Sequence, residues 1–457
     1  MGLLGTLEIA RSGLLAHASA AAVTGHNIAN AQSPNFSRQR PVLTSVPMSL
    51  SGLDVLGMPG RGVVLAAVER VTDEFAIRRL RTATAQAGTS TGLKASLEHV
   101  EAVSISLDGG VNSDLSAFFD AFEQLADAPE SGAMRVVALQ AGMRLAESVS
   151  QQYQRMLELR EQIDGWLPPM VDTVNQLAEK VATLNADIAV GASSGPLNNL
   201  LDERDGAVVE LARLIGAWAI AGDGEQLDVL IGGQRLVQGD RAFELIVEAD
   251  PSNAGLLTVK FASGTEAAVS GGEIAGLIAV RDQHLPAYLA EIESFRDTLA
   301  AEVNALHQAG IGLDGSTTGL DFFILGVDGE INVNPVIAAD SAKIGASAGG
   351  EPGDGQQAQA IADLRDARVG AGGTATLTEL YSAFVTRVGL DVSDAQELAQ
   401  ARDLVVARAT EARHSAAGVS LDEELVNLVA HQRAFEASAR LVGVIDGLLE
   451  TVIGLVG

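Results

Sequence analysis

The sequence predicts a mainly α-helical protein with a small antiparallel β module, an elongated shape, and N- and C-terminal helices that pair as a coiled coil. Both ends of the 457-residue chain carry apolar residues spaced alternately three and four apart. Helical periodicity also dominates the interior, and the period changes to two between residues 216 and 270. Apolar residues make up 47% of the chain but aromatic residues only 4%, a composition that favours closely packed helices.

The N-terminal pattern predicts a helix of roughly 28 residues with one apolar seam. The heptad-spaced positions of this seam are Leu3, Leu7, Ala10, Leu14, His17, Ala21, Thr24 and Ile28. A helix with such a seam needs a partner that covers it.

The C-terminal pattern predicts a second long helix of the same kind. Its seam comprises Leu421, Leu425, Leu428, Gln432, Phe435, Ala439, Val442, Asp446, Leu449, Ile453 and Val456. Ser420 and Glu423 form a capping box, in which the hydroxyl accepts from an amide of the first turn and the carboxylate reaches back. The two ends can cover each other within one chain, or neighbouring chains can add further partners.

Between the ends, the order of elements is helices, strands and helices again. The first interior helix is predicted to begin at a Thr72 cap and to run to about Leu107. Later helical segments cover residues 115–125, 133–163, 170–188, 200–215, 274–307 and 377–413. Period-two segments separated by Gly-rich turns over 218–261 predict the antiparallel β module.

This out-and-back order predicts three discontinuous or inserted domains. Residues 1–60 with 415–457 would form the terminal coiled-coil domain. Residues 61–215 with 271–414 would form a helical body, and 216–270 a small outer β domain.

The composition excludes several classes of function. The formal net charge of −29 disfavours binding to nucleic acids and to anionic membranes. The absence of Cys excludes disulfides, thiolate metal sites and cysteine nucleophiles. Neither a membrane anchor nor a secretory signal is recognisable, so we expect a soluble protein.

No motif predicts catalysis, a cofactor or a metal site, and the protein is therefore not expected to be an enzyme. The G-x-S-x-G matches at 191–195 and 345–349 lack the strand-to-helix context of a nucleophile elbow. The G-x-G-x-x-G match at 310–315 follows a helix. The seven His include no i, i+4 pair, and the acids around Arg204 are explained by a helix N-terminus with local pairing.

Two end segments resemble a known family. His26-Asn-Ile-Ala-Asn30 and Ser33-Pro-Asn-Phe-Ser-Arg38 are similar to the N-terminal signature of the bacterial flagellar axial proteins, the rod, hook and hook-associated group. Residues 418–424 resemble the start of the C-terminal helix in that group. Asn35 stands where the family has Gly, and Asn can adopt the same positive φ.

Interior segments resemble the hook-associated members that form the hook–filament junction. These segments are 115–129, 135–140, 200–205 and 307–323. Only some 20 residues separate Phe323 from Lys343, where longer members carry an extra outer domain, so the resemblance implies that this domain is missing.

The resemblance implies a structural function: joining the hook to the filament through a second junction protein. The implied partners are the hook protein, the second junction protein, copies of the chain in a ring, and a cytoplasmic export chaperone on the C-terminal helix. The implied location is extracellular, after export without a cleaved signal peptide. The expected assembly residues lie in the seams and the signature: Leu3, Leu7, Leu14, Asn27, Ile28, Asn30, Pro34, Arg38, Leu421, Leu425, Leu428, Phe435, Val442, Leu449 and Ile453.

Two alternatives remain open from the sequence. The chain could be a flagellin-like or second junction protein of the same axial group. It could also be a free-standing coiled-coil enzyme or sensor, which would need a metal or cofactor.

Overall fold

A computed structural model describes residues 2–33, 35–47, 49–50, 53–54, 60–104, 110–191, 197–327, 329–370 and 372–456. Pro34, one of the expected assembly residues, lies outside the described residues. So do residues 192–196, which hold most of the first G-x-S-x-G match, and the predicted helix end at Leu107.

The protein is mainly α-helical, as predicted. The helices are α1 (Leu3–Asn30), α2 (Glu74–Ser104), α3 (Gly110–Asp127), α4 (Gly132–Asp164), α5 (Leu167–Gly191), α6 (Asn198–Ile215), α7 (Gly272–Ala279), α8 (Leu285–Ala309), α9 (Pro335–Ala339), α10 (Gln356–Asp363), α11 (Leu377–Ala417) and α12 (Leu421–Val456). A π-helical turn over Val280–His284 connects α7 to α8.

The strands are short and antiparallel. They are β1 (Gln39–Ser45), β2 (Ser49–Leu50), β3 (Leu53–Asp54), β4 (Val63–Arg70), β5 (Trp218–Ala221), β6 (Leu227–Ile231), β7 (Gln234–Gln238), β8 (Arg241–Ala242), β9 (Leu245–Ala249), β10 (Leu257–Phe261), β11 (Phe323–Leu325) and β12 (Ile331–Val333). Strands β5–β8 form a four-stranded meander, and β9 pairs with β10 in a separate sheet. The period-two region therefore contains two small sheets.

Two local predictions need correction. Asp73, and not Thr72, caps α2, because its Oδ1 accepts from the N–H groups of Phe75 (2.8 Å) and Ala76 (3.1 Å). The hairpin of β1 and β4 was not predicted at all. It runs in register from Gln39 opposite Arg70 to Ser45 opposite Val63.

The chain divides into two compact units, and each is assembled from segments far apart in sequence, which confirms the prediction of discontinuous domains. The first unit comprises Met1–Gln86, Thr173–Leu245 and Asp403–Gly457. The second comprises Ala87–Asp172 and Ile246–Arg402. The three-domain boundaries given above stay a prediction.

The second unit is organised around a cluster of five phenylalanine rings. These residues are Phe118, Phe119, Phe122, Phe322 and Phe323, each at most 1% exposed. Neighbouring ring centroids lie 4.8–5.8 Å apart in tilted or edge-to-face arrangements, the geometry that aromatic pairs prefer. Two of the segments that carry the family resemblance, 115–129 and 307–323, thus meet in one core.

Buried polar side chains fix the loops around this core. Arg135 donates from Nε to the carbonyl of Pro129 (2.9 Å) and from Nη1 to that of Ile344 (2.7 Å). His307 is 2% exposed. Its Nδ1 lies 2.7 Å from the carbonyl of Leu320, and its Nε2 accepts from the Gly345 N–H at 2.9 Å. Both residues therefore serve the fold.

Candidate assembly interface

The terminal helices α1 and α12 pack against each other along much of their length, which confirms that the two ends pair within one chain. Asn27 contacts Glu424, His17 lies opposite His431, and Gly13 lies opposite Ser438. Residue numbers fall along α12 as they rise along α1, so the pair is antiparallel.

Small side chains, not the leucines of the predicted seam, form the buried face of α1. This face comprises Ala10, Gly13, Ala16, Ala20, Thr24 and Asn27. A Cβ added at Gly13 would lie 2.9 Å from Ser438 Oγ, so the helices approach closely here. Leu3, Leu7, Leu14 and Ile28 are only half-buried, at the margin of the contact. Bulky side chains cannot lie between backbones this close, which is why the predicted seam is displaced.

On α12 the predicted seam lies along one flank of the contact with α1. Leu428, Val442 and Leu449 are half-buried. Leu421, Leu425, Phe435 and Ile453 are exposed by 47%, 50%, 37% and 71%. The residues that α12 buries most deeply are Glu424 and Ile445, each 2% exposed.

The opposite flank of α12 is also apolar, and the sequence reading missed it. Val426, Leu441, Val444 and Leu448 are exposed by 69%, 39%, 60% and 48%. At 3.6 residues per turn, these positions lie on the other side of the α1 contact from Leu421 and Leu425. The spacing of Leu441, Val444 and Leu448 by three and four is the signal that could have revealed them.

The signature residue Asn27 joins α1, β1 and α12. Its amide donates to the carbonyl of Gln39 (2.8 Å) and accepts from the Gln39 N–H (2.9 Å). The same Nδ2 donates to Glu424 Oε2 at 2.9 Å. Asn27 is fully buried, so it satisfies a backbone pair and a buried carboxylate at once.

Arg38 completes this polar joint at the start of α12. Its Nε donates to Glu424 Oε1 at 2.8 Å, and its Nη1 donates to Glu423 Oε2 at 2.9 Å. Ser420 Oγ accepts from the Glu423 N–H at 3.5 Å, the first half of the predicted capping box. The Glu423 carboxylate is used in the ion pair with Arg38.

The turn after α1 is held by residues of the signature. Asn30 Nδ2 donates to the His26 carbonyl at 3.0 Å. Asn35 has φ 63°, which confirms the predicted left-handed conformation. Its Oδ1 accepts from Arg413 Nη1 at 3.1 Å. The signature thus packs α1 against both α11 and α12.

The acidic residues around Arg204 do not pair locally, contrary to the sequence reading. Asp202 lies 2.7 Å from Arg70 and accepts from the N–H of Ser37. Asp205 binds both Arg70 and Arg81. Burial raises the pKa of Asp202, and the charge of Arg70 opposes that shift. The two aspartates therefore connect α6 to β4 and α2, contacts too distant in sequence to predict.

Within the described ranges, no group of three or more His, Asp or Glu side chains is placed to hold a metal ion. No helix in the same ranges is long and apolar enough to cross a membrane. The arrangement built by the signature is a structural joint between helices.

Comparisons with known proteins match the chain from end to end. The profile described as "Flagellar hook-associated protein FlgK helical domain" matches residues 97–323, and "Flagellar basal body rod FlgEFG protein C-terminal" matches residues 414–455. Flagellar hook-associated protein 1 of Bacillus subtilis (strain 168) is 25% identical over 501 residues, covering 99% of this chain and 98% of the relative. The Escherichia coli (strain K12) protein of the same name is 23% identical over 547 residues, covering 98% of each.

The chain resembles the flagellar hook-associated protein 1 family over nearly its whole length. The flagellar hook junction protein FlgK from Burkholderia pseudomallei has the same fold, with a TM-score of 0.65 over 75% of this chain and all of that one, at 18% identity. Members of the family are structural components of the flagellum. The profile and the relatives favour this family over the flagellin-like and second-junction alternatives.

Proposed function

We propose that this chain is a non-enzymatic subunit that joins the hook to the filament through a second junction protein. It polymerises through α1 and α12 into a ring of copies. The observation that carries the proposal is the pair of apolar flanks on α12, one with Leu421 and Leu425 and the other with Val426 and Val444. A stable single chain rarely leaves such a long apolar surface uncovered.

The two flanks support neighbours on both sides of the terminal pair. α1 covers only the face of α12 that contains Glu424 and Ile445. A helix that is apolar over a wide arc is suited to burial among several helices. The expected assembly residues Leu421, Leu425, Phe435 and Ile453 would then contact a second copy, the hook protein or the second junction protein.

The same surface supports the remaining partners. An uncovered apolar helix would aggregate before assembly, so a cytoplasmic export chaperone on α12 is part of the proposal. The chain would be exported to the extracellular flagellum without a cleaved signal peptide. In the assembled flagellum, residues 1–60 with 415–457 would form the inner domain, 61–215 with 271–414 the body and 216–270 the outer domain. Neither nucleic acid nor membrane is among the proposed partners.

Complementation of a deletion strain tests this function. Electron microscopy of the deletion strain should show hooks without filaments, and the wild-type chain should restore filaments. Filaments on the deletion strain itself would contradict the proposal.

A further inference from the structure

A cleft of about 610 Å³ lies beside β5, away from the terminal helices. Its walls are α2, Arg204 of α6 and the hairpin of β5 and β6. All of these segments belong to the first compact unit.

The cleft follows the free edge of a sheet. β5 is the outermost strand of the meander and, in the described part of the chain, pairs with β6 alone. Four consecutive residues, Trp218–Ala221, line the cleft. Successive side chains of a strand point to opposite faces, so four lining residues in a row place the cleft along the edge and not over a face. An edge strand presents unpaired N–H and C=O groups on that side.

Three arginines line the cleft, and they differ in how far carboxylates neutralise them. Arg204 is 6% exposed. Its Nη1 donates to Asn185 Oδ1 (2.9 Å) and to the carbonyl of Glu225 (2.6 Å), both uncharged acceptors. Among the described residues, no carboxylate forms an ion pair with Arg204. A buried guanidinium normally has a charged partner.

The other two arginines differ from Arg204: Arg81 is in an ion pair, and Arg78 lies at the surface. Arg81 is 7% exposed and shares the carboxylate of Asp205 with Arg70. The exposed Arg78 donates from Nε to the carbonyl of its neighbour Glu74 at 3.3 Å.

Burial raises the cost of keeping these groups charged. It lowers the pKa of both Arg81 and Arg204. The Nε atoms of both are buried without a hydrogen-bond partner. Two acids, Glu74 and Glu225, also line the cleft, so its lining holds one more arginine than carboxylates, and Asp205 behind the lining offsets the charge of Arg81. The whole chain carries −29, which makes this cleft a local exception.

We propose that the cleft binds an extended acidic segment of another polypeptide, which adds to the edge of β5 as a further strand. The backbone of the segment would pair with β5, and its carboxylates would contact the guanidinium groups of Arg78, Arg81 and Arg204. Trp218, 48% exposed, provides apolar surface for an intervening side chain. Strand addition combines backbone hydrogen bonds with side-chain selection in this way.

The test uses a short peptide of alternating glutamate and valine and the full-length chain. The chain has two Trp, so Trp166→Phe leaves Trp218 as the only tryptophan reporter. The peptide should shift the Trp218 fluorescence and slow hydrogen exchange at the β5 amides. N-methylation of the peptide along one edge should weaken binding by about fivefold or more, since each lost bond contributes about 1 kcal/mol. A lysine–valine peptide should not bind.

Arg78→Gln should weaken binding of the acidic peptide by about two- to fivefold, because it removes one exposed charge pair. Arg40→Gln is the matched control, since Arg40 is also exposed but pairs with Glu69 in another hairpin, and it should leave binding unchanged. The proposal is overturned if the acidic peptide does not bind, or if binding is weakened by N-methylation of neither edge of the peptide. Displacement of the peptide by inorganic phosphate at constant ionic strength would also overturn it, because the cleft would then be a simple anion site.

Discussion

The phenylalanine cluster of the second unit and helix α12 of the first use apolar residues in opposite ways. The five rings of the cluster are at most 1% exposed. On α12, Val426, Val444 and Ile453 are 69%, 60% and 71% exposed. The cluster is complete within one chain, whereas α12 has apolar side chains that this chain does not cover.

This difference separates two kinds of substitution. A change in the phenylalanine cluster acts on folding, because every ring has lost its contact with water. A change on the flanks of α12 acts on association and leaves the folded chain almost unaltered. The two tryptophans allow each unit to be followed alone, since Trp166 lies in the second and Trp218 in the first.

The largest expected effect is that of Phe118→Ala. The ring is fully buried against four others, so its loss should lower the free energy of unfolding by about 3–5 kcal/mol. Urea unfolding of a Trp218→Phe background, followed through Trp166, measures it. Leu390→Ala is the control, because Leu390 lies in the same unit, is 59% exposed and should change stability by less than about 0.5 kcal/mol. Equal effects of the two substitutions would refute the contrast.

Glu424→Ala should come next, at about 1.5–3 kcal/mol. Its buried carboxylate accepts charge-assisted hydrogen bonds from Arg38 and Asn27. Glu423→Ala should cost no more than about 1 kcal/mol, since that side chain is 63% exposed. Unfolding of a Trp166→Phe background, followed through Trp218, compares them. A larger loss for Glu423→Ala would show that Glu424 does not hold the polar joint.

The order of helices could be predicted because apolar periodicity is a local property. The N-terminal pattern indicated a helix of roughly 28 residues, and α1 has 28. Asn35 was predicted to have positive φ for an equally local, steric reason. The hairpin of β1 and β4 escaped prediction because Pro41 argues against a strand, and because Val68, the residue that pairs with Pro41, lies 27 residues away in sequence.

The contact face of α1 could not be read from hydrophobicity alone. Gly13, Ala16 and Ala20 are weakly apolar, so a search for large residues selects the adjacent leucines. Only the distance between the helices shows that small side chains are required. The pairing of Asp202 with Arg70 likewise depends on a fold that connects residues distant in sequence.

A smaller effect is expected from pH, and the part that is due to His307 should appear in the second unit. Burial lowers the pKa of His307 below its ordinary value of 6.5. The unfolded chain therefore binds more protons than the folded one below about pH 6.5, and the free energy of unfolding should fall as pH drops through that range. Unfolding followed through Trp166 measures the slope. His307→Gln can retain both hydrogen bonds and should flatten it, and an unchanged slope would assign the titration to another group.

The smallest effect on stability, and the largest on assembly, is expected for Val444→Asp. Val444 is 60% exposed, so the free energy of unfolding should change by less than about 0.5 kcal/mol. If a neighbouring chain covers this flank, the new carboxylate would be buried without a partner, which proteins tolerate poorly. Electron microscopy of a deletion strain that carries the variant should then show bare hooks. Gly447→Asp is the matched control: it adds the same charge one turn away, on the side of α12 that faces away from α1 and between the two flanks, where an added Cβ meets no atom within 4 Å. Filaments with Gly447→Asp but not with Val444→Asp would identify the flank as an assembly surface. Filaments with both would mean that only the flank with Leu421 and Leu425 is covered, and Leu425→Asp would then have to abolish them.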